Sequence, residues 1–278
     1  MIEILLSTYN GEKYLSDLIE SLLNQTYQDL KIIIRDDGSV DNTCSIIESF
    51  YDKYPSKISF IKDSKGNIGS TGSFSVLLSS TKGKYIMFCD QDDIWLPNKV
   101  SITLNTMEKL QKDYPGKPLL VYTDLIEVNE NCEIISNSFI KSHLLYPEKI
   151  KNVPAMLAMS VVAGCTIMIN DDAIKYILPI PSNLVHDHWI ATNIFHYGHC
   201  EYLNEKTILY RQHGNNSVGA KNVNFSYLMQ RFSKLFSLCK FFYLEIKSYP
   251  FKINILYFIF YKIKFNVFRI IRLHNKEI

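Results

Sequence analysis

Apolar and polar positions fall into repeating blocks over the first hundred residues. Glu3 to Ser7 is a short apolar run that reads as a strand, and Lys13 to Gln25 places Tyr14, Leu15, Leu18, Ile19, Leu22 and Leu23 on one helical face. Lys31 to Arg35 is a second apolar run ending in Asp36-Asp37-Gly38-Ser39, after which Asp41 can cap a helix reaching Tyr54. Ile58 to Lys62 predicts a third strand, Ser70 to Ser80 a helix, and Tyr85 to Cys89 a fourth strand opening onto Asp90-Gln91-Asp92-Asp93. Continuous rather than alternating apolar strands imply an α/β fold with a parallel sheet covered by helices on both faces. Ligands of such sheets sit beyond the carboxyl ends of the strands, where the acidic clusters fall.

The pattern weakens beyond residue 100. Ser101 to Lys112 reads as a helix, and Leu119 to Thr123, Val161 to Ile169 and Leu203 to Tyr210 read as strands. The stretch from Asn129 to Pro154 shows no period.

Composition narrows the class without naming a chemistry. With 47% hydrophobic and 21% charged residues in 278, the chain has the make-up of a globular protein able to bury a large core, which excludes disordered, collagenous and disulfide-scaffold classes. The six cysteines, Cys44, Cys89, Cys132, Cys165, Cys200 and Cys239, include no CxxC pair, so a reducing compartment is expected. The start lacks the layout of a signal peptide, and the apolar run Ile253 to Tyr261 is about half a spanning helix, so the expected location is cytoplasmic.

Charge changes the picture more. The segment from Lys221 onward holds 11 basic and 2 acidic residues out of 30 and 28 in the chain, so the tail is net +9 and the body −7. Lys234, Lys240, Lys247, Lys252, Lys262, Lys264, Arg269 and Arg272 are interleaved with Phe and Tyr, which points to an anionic membrane surface as partner. The wheel is imperfect: Lys262, Asn266 and Arg269 share a face that Lys252 and Lys264 do not. A homodimerising or body-packing helix is the alternative, and no nucleic-acid motif accompanies the charge.

Asp36-Asp37-Gly38-Ser39 alone reads as a turn. Asp90-Gln91-Asp92-Asp93 is different, because three carboxylates within four residues repel one another and a hard divalent cation relieves the repulsion. His186, His188, His196 and His199 have spacings found in zinc sites, but no cysteine or acidic partner falls at a supporting interval.

Taken together, Leu6-Ser7-Thr8-Tyr9-Asn10-Gly11, Ile34-Arg35-Asp36-Asp37-Gly38-Ser39, Gly66-Asn67-Ile68-Gly69 and Asp90-Gln91-Asp92-Asp93 resemble, in order and spacing, glycosyltransferase family 2 with its Rossmann-like nucleotide-sugar fold, GT-A. The likeness covers roughly residues 1–220, divided into a nucleotide-binding half (1–100) and an acceptor half (101–220), with 221–278 as a helical tail. It implies that Ser7, Tyr9 and Glu12 line the nucleotide pocket, that Asp37 bonds the pyrimidine ring, that Asn67 lies near base and ribose, and that Gln91 belongs to the same pocket. Asp90 and Asp92 correspond to the DxD element that holds Mg²⁺ or Mn²⁺, Asp92 as direct ligand and Asp90 through ribose or metal-bound water. Val185-His186-Asp187-His188-Trp189 resembles the base-bearing segment: Asp187 as base, His188 on the acceptor side and Trp189 as a sugar platform, the alternative for Asp187 being a helix cap. In Tyr210-Arg211-Gln212-His213, His213 is expected to complete the metal shell and Arg211 to reach the diphosphate. Val161 to Cys165, with Gly164, either lets the acceptor approach the backbone or simply packs as a strand.

The activity so implied is inverting, metal-dependent transfer of one sugar from a dTDP-rhamnose or UDP-hexose donor to a lipid-linked saccharide acceptor, in O-antigen, capsule or cell-wall polysaccharide synthesis. The enzyme would sit peripherally on the inner face of the plasma membrane. The processive branch carries spanning helices and a QxxRW signature, which this chain lacks. A sugar-phosphate nucleotidyltransferase and an inactive membrane scaffold are the competing readings.

Overall fold

The computed structural model describes residues 1–214 and 239–274. The expected boundary at 220 and the tail residues Lys221, Asn224 and Lys234 lie outside them. The first half follows the apolar blocks: β1 (Ile2–Thr8), α1 (Leu15–Leu23), β2 (Leu30–Asp36), α2 (Thr43–Lys53), β3 (Ile58–Ile61), α3 (Gly69–Ser80) and β4 (Tyr85–Cys89). β5 (Ile94–Trp95), α4 (Lys99–Asp113), β6 (Leu119–Val128), β7 (Ile134–Ser136), α5 (Phe139–Ser142), α6 (Val153–Met159), β8 (Ile167–Asn170), α7 (Ile174–Ile177), α8 (His186–Tyr197) and β9 (His199–Arg211) follow. The described tail consists of α9 (Cys239–Ser248) and α10 (Ile255–His274).

One sheet runs in the order β3-β2-β1-β4-β8-β6-β9-β5, with β7 beside β6. β1, β2, β3 and β4 pair in parallel, as do β6 and β9. The winding reverses at β1, with β2 on one side and β4 on the other, which opens a crevice between their carboxyl ends. Along β1 and β4 the side chains sort by the two-residue period: Leu5, Ile86 and Phe88 enter one core, and Ile4, Leu6, Met87 and Cys89 the other. Both faces are thus covered, which is why these strands read as unbroken apolar runs. Each Leu or Ile so buried is worth roughly 1.5–3 kcal/mol over exposure.

The second half departs from the expected pattern. β8 inserts antiparallel between β4 and β6, and β5 is antiparallel to β9, so the sheet is mostly but not wholly parallel. The strand expected over Val161 to Ile169 begins only at Ile167, because Ser160 takes a positive φ of 44° and Gly164–Thr166 form a 3₁₀ turn. The stretch without a period holds β7, α5, a 3₁₀ turn at Pro147–Lys149 and the start of α6, each too short to show one. No helix among the described residues is long and apolar enough to cross a membrane.

The tail is part of the body. Ile246, Tyr249, Phe258 and Phe265 belong to the same core cluster as Leu5 and Phe88. Asn266 and Arg269, expected on a charged outer face, are buried, and Arg269 Nε donates to the Leu144 carbonyl at 3.0 Å.

Between α8 and β9 the chain turns at Gly198, where an added Cβ would lie 1.8 Å from the Pro118 carbonyl oxygen. That atom also accepts from His199 N and starts the β6–β9 ladder. Gly198→Ala is expected to lower unfolding free energy by about 3 kcal/mol; urea denaturation measures it, and an unchanged midpoint would contradict the close approach.

Candidate active site

The crevice is walled on one side by the loops that follow β1 and β2. Asp36 ends β2 and folds back on itself, accepting from the Thr8 hydroxyl at 2.8 Å, the Ser39 hydroxyl at 2.6 Å and the Gly38 and Ser39 amides. Burial pushes this carboxyl up, but the bonds from Ser39 and Thr8 prevail and hold it below the usual range. Gly38 supplies the positive φ of 86° that the turn needs.

Asp37 is only 3% exposed, and its oxygens accept from Arg35 Nη1 at 2.6 Å, Ile68 N at 2.9 Å and Gly69 N at 2.8 Å. Arg35 is itself buried, and its guanidinium also binds Asp63, the Ser73 hydroxyl and the Gly66 carbonyl. A buried cation with this many partners is compensated, so it can fix the Gly66–Gly69 loop against β2. Asp37 thereby ties β2 to the Gly66–Gly69 loop and holds the pocket wall together. Asn67, on that loop, is exposed and bonds Gly69 N.

β1 ends at Ser7 and Thr8, and Tyr9 beyond it is exposed at the mouth. Gln91 does not face the pocket as a free amide. Its Oε1 accepts from Tyr9 N at 2.7 Å and its Nε2 donates to Tyr9 O at 2.9 Å, which stitches the β1 and β4 loops across the crevice. Gln91 packs close over Gly11, where a Cβ would fall 2.4 Å from Gln91 Oε1 and displace the amide from this position. Glu12 is likewise engaged, accepting from the Asn42 amide and side chain at 3.0 and 2.8 Å.

At the floor, four carboxylates meet. Burial, then the charges of Asp92 and Asp187, push Asp90 up to about 7, with the Cys165 thiol partly offsetting. Burial, then the charges of Asp92 and Asp90, hold Asp93 well above the usual range. Asp92 bonds His213 Nε2 through Oδ2 at 2.9 Å, bringing together two residues 121 positions apart. Asp187 lies in the first turn of α8, where the helix end favours an acid, and accepts from Gly164 N at 3.1 Å and His188 N at 2.6 Å. Gly164 permits this approach: a Cβ would meet His186 Nε2 at 3.0 Å and Asp187 Cβ at 3.5 Å.

Several residues outside the expected set support the floor. Lys99 is fully buried; its Nζ donates to the Cys165 carbonyl at 3.1 Å and lies 4.4 Å over the Trp95 ring. Burial draws it down to about 8, with Cys165, Cys89 and Asp93 opposing, so it remains a cation at neutral pH beneath the acids. Tyr14 lies tilted against His213, with ring centroids 4.9 Å apart, and carries the Arg211 guanidinium at 4.4 Å.

Three further side chains of the expected set are engaged within the protein. The Arg211 side chain is buried against Tyr14, with Nη2 3.2 Å from Asp17 and Nη1 3.4 Å from the Glu130 carbonyl, so it braces the ring behind His213. Trp189 is not an open platform: it is buried, stacks on Tyr249 at 4.9 Å and donates Nε1–H to Ile177 O at 2.8 Å. His188 turns to the tail, with Nδ1 3.0 Å from Glu245.

The parallel half-sheet, its switch-point crevice and the acidic floor define a nucleotide-sugar transferase architecture of the GT-A type. Residues 3–177 match Glycosyl transferase family 2, and the chain belongs to that family. It is 29% identical over 189 residues to an uncharacterized glycosyltransferase of Rickettsia typhi, covering 68% of this chain and 56% of that protein. It is also 29% identical over 241 residues to the dTDP-rhamnosyl transferase RfbG of Shigella flexneri, covering 79% of this chain and 75% of that one. The chain spans about half the length of the first curated relatives it matches. Among solved structures, S. aureus TarS 1-349 in complex with UDP-GlcNAc superposes with a TM-score of 0.60 at 15% identity, over 99% of this chain and 71% of that one, which shows a shared fold.

Asp90 has a folded-state pKa above its unfolded value near 3.8, so the folded protein holds its proton more tightly. Its contribution is therefore most favourable at low pH and is lost as pH rises from about 4 through about 7. In chelator, unfolding free energy is expected to decline across that window, and Asp90→Asn to flatten the decline. A wild-type profile that rises with pH in parallel with the variant would refute it.

Proposed function

We propose that the chain is an inverting, metal-dependent, non-processive glycosyltransferase that moves one sugar from a nucleotide diphosphate donor, dTDP-rhamnose or a UDP-hexose, to a saccharide acceptor. The observation that carries this reading is the meeting of Asp90, Asp92, His213 and Asp187 at one end of the crevice. RfbG is a dTDP-rhamnosyl transferase and TarS binds UDP-GlcNAc, which supports a dTDP- or UDP-linked donor.

A hard divalent ion fits part of this floor. Candidate ligand atoms of Asp90, Asp93 and Cys165 lie within 4.8 Å of one another, but Cys165 is a protonated thiol whose burial pushes its pKa well up, a poor partner for Mg²⁺ or Mn²⁺. Asp92, His213 and Asp90 offer the harder oxygen and imidazole set at this floor, and they are the residues that would hold the ion. Bound there, it would neutralise charge on the departing diphosphate.

The remaining steps belong to the chain. The acceptor hydroxyl attacks the anomeric carbon from the face opposite the diphosphate, and Asp187 receives its proton. Two backbone amides, Gly164 N and His188 N, fix the Asp187 carboxylate in orientation. Ser7, Tyr9 and Asn67 line the nucleotide end, while Asp37, Gln91 and Glu12 shape it by holding its loops. A lipid-linked acceptor at the inner face of the plasma membrane, within O-antigen, capsule or cell-wall assembly, suits the basic aromatic tail.

A thermal-shift screen of nucleotide sugars with Mn²⁺ tests the reading. A cognate donor at a hundred times its Kd adds about 2.7 kcal/mol to stability, and no shift with any nucleotide sugar would overturn it. Asp187→Asn is expected to cut transfer by about a thousandfold while the donor shift persists; equal loss of both would remove Asp187 as base.

A further inference from the structure

Helix α10 is inverted relative to an ordinary surface helix. Its polar side, Asn266 and Arg269, faces inward with Phe258 and Phe265. Its outward side is an apolar stripe: Leu256, 74% exposed, then Phe260 at 54%, Ile263, Val267 and Ile271, with Tyr257 beside them. These positions recur every three or four residues and run about 22 Å along the helix. Such a patch on a soluble surface marks a site of interaction.

Charge identifies the occupant. A groove of about 600 Å³ runs beside the stripe, between Val267, Phe268 and Ile271 of α10 and the 3₁₀ turn that precedes α6. Three exposed lysines, Lys149, Lys151 and Lys264, line it, with Glu148 as the opposing charge. Lys149 Nζ lies 4.4 Å over the Phe268 ring, which holds its charge at the groove. An apolar strip edged by cations matches an anionic amphiphile layer, with acyl chains against the strip and phosphates at the lysines. A second copy fits less well: a two-fold contact is self-complementary, so closing it over the stripe would bring Lys264 of each copy into the same like-charged seam.

We propose that the outer face of α10 lies in the interfacial layer of an anionic bilayer, with Leu256, Phe260, Ile263, Val267 and Ile271 among the acyl chains and Lys149, Lys151 and Lys264 on lipid phosphates. This rests on the membrane-proximal reading above and gives it a surface, while the donor site is independent of it.

Cosedimentation of the full chain with phosphatidylcholine vesicles, with and without phosphatidylglycerol, tests the proposal, with light scattering for oligomeric state and nucleotide-sugar thermal shifts run alongside. The wild type is expected to bind vesicles containing phosphatidylglycerol and to leave neutral ones. Replacing Lys149, Lys151 and Lys264 with glutamine is expected to weaken binding by about a hundredfold, and Phe260→Asp with Val267→Asp to abolish it. The lysine variant, altered only at exposed positions, keeps the test decisive if the apolar variant misfolds. Binding unchanged in the lysine variant overturns the proposal. So does a dimer that Val267→Asp dissociates without wild-type vesicle binding, which assigns the stripe to a second copy. A wild type that is monomeric and ignores anionic vesicles overturns it too. A persisting donor shift in each case leaves the transferase reading standing.

Discussion

Carboxylate crowding at the end of β4 is the constraint on which the rest of the site depends. Asp90, Asp92 and Asp93 leave one strand within four residues, and α8 brings Asp187 to the same place. Like charges in a partly dry crevice are mutually unfavourable, and the chain offsets them from every side. Lys99 supplies a cation from α4, Arg211 N donates to Asp93 from the end of β9, His213 meets Asp92, and the Gly164 and His188 amides meet Asp187. Each counter-group comes from a different element, so the same interactions that make the acids tolerable tie α4, α8 and β9 to β4. A divalent ion would complete a compensation that the protein alone leaves partial, as the raised Asp90 and Asp93 show.

The nucleotide end obeys a different logic. Loops after parallel strands leave backbone amides without ladder partners, and side chains must satisfy them. Asp36, Asp37, Gln91 and Glu12 do this for the amides of residues 38, 39, 68, 69, 9 and 42. The acidic and amide residues that mark the crevice in the sequence therefore define its shape first. Tyr9 and Asn67 are among the side chains that these loops leave exposed.

This explains which parts were legible in the sequence. β1 to β4 were readable because strands covered on both faces are unbroken apolar runs, and the acidic ends follow from their position. β8 was misjudged because its partners, β4 and β6, are chosen by long-range packing, while locally Gly164 is drawn out of extended geometry to meet Asp187. Lys99 lies in no motif; its significance appears only when α4 packs against β6, β8 and β9 and brings Nζ to the Cys165 carbonyl. Trp189 follows His186-Asp187-His188 directly, yet α8 turns it, with Ile190 and Ile194, into the core. Arg211 and Gln91 have the chemistry expected of ligand-binding side chains, and only the distances show that the chain itself uses their hydrogen-bonding groups.

The tail follows from the same packing. Counting charges divides the chain near residue 220 into an acidic body and a basic appendage, but the rings ignore that division. Tyr249 stacks on Trp189, Phe251 stacks on His196 at 3.7 Å, and Glu245 meets His188, so three contacts from the tail grip one helix, the helix whose first turn carries Asp187. α10 in turn rests on α6, where Tyr261 receives a hydrogen bond from the Asn152 cap at 2.8 Å. With its inner side committed to the body, α10 has its polar residues drawn inward to satisfy groups such as the Leu144 carbonyl, and its remaining apolar residues face out. The exposed stripe is thus the counterpart of the tail's structural work: a helix that serves only to cap a core has no need of apolar residues on both sides, whereas one that also meets a second apolar phase does.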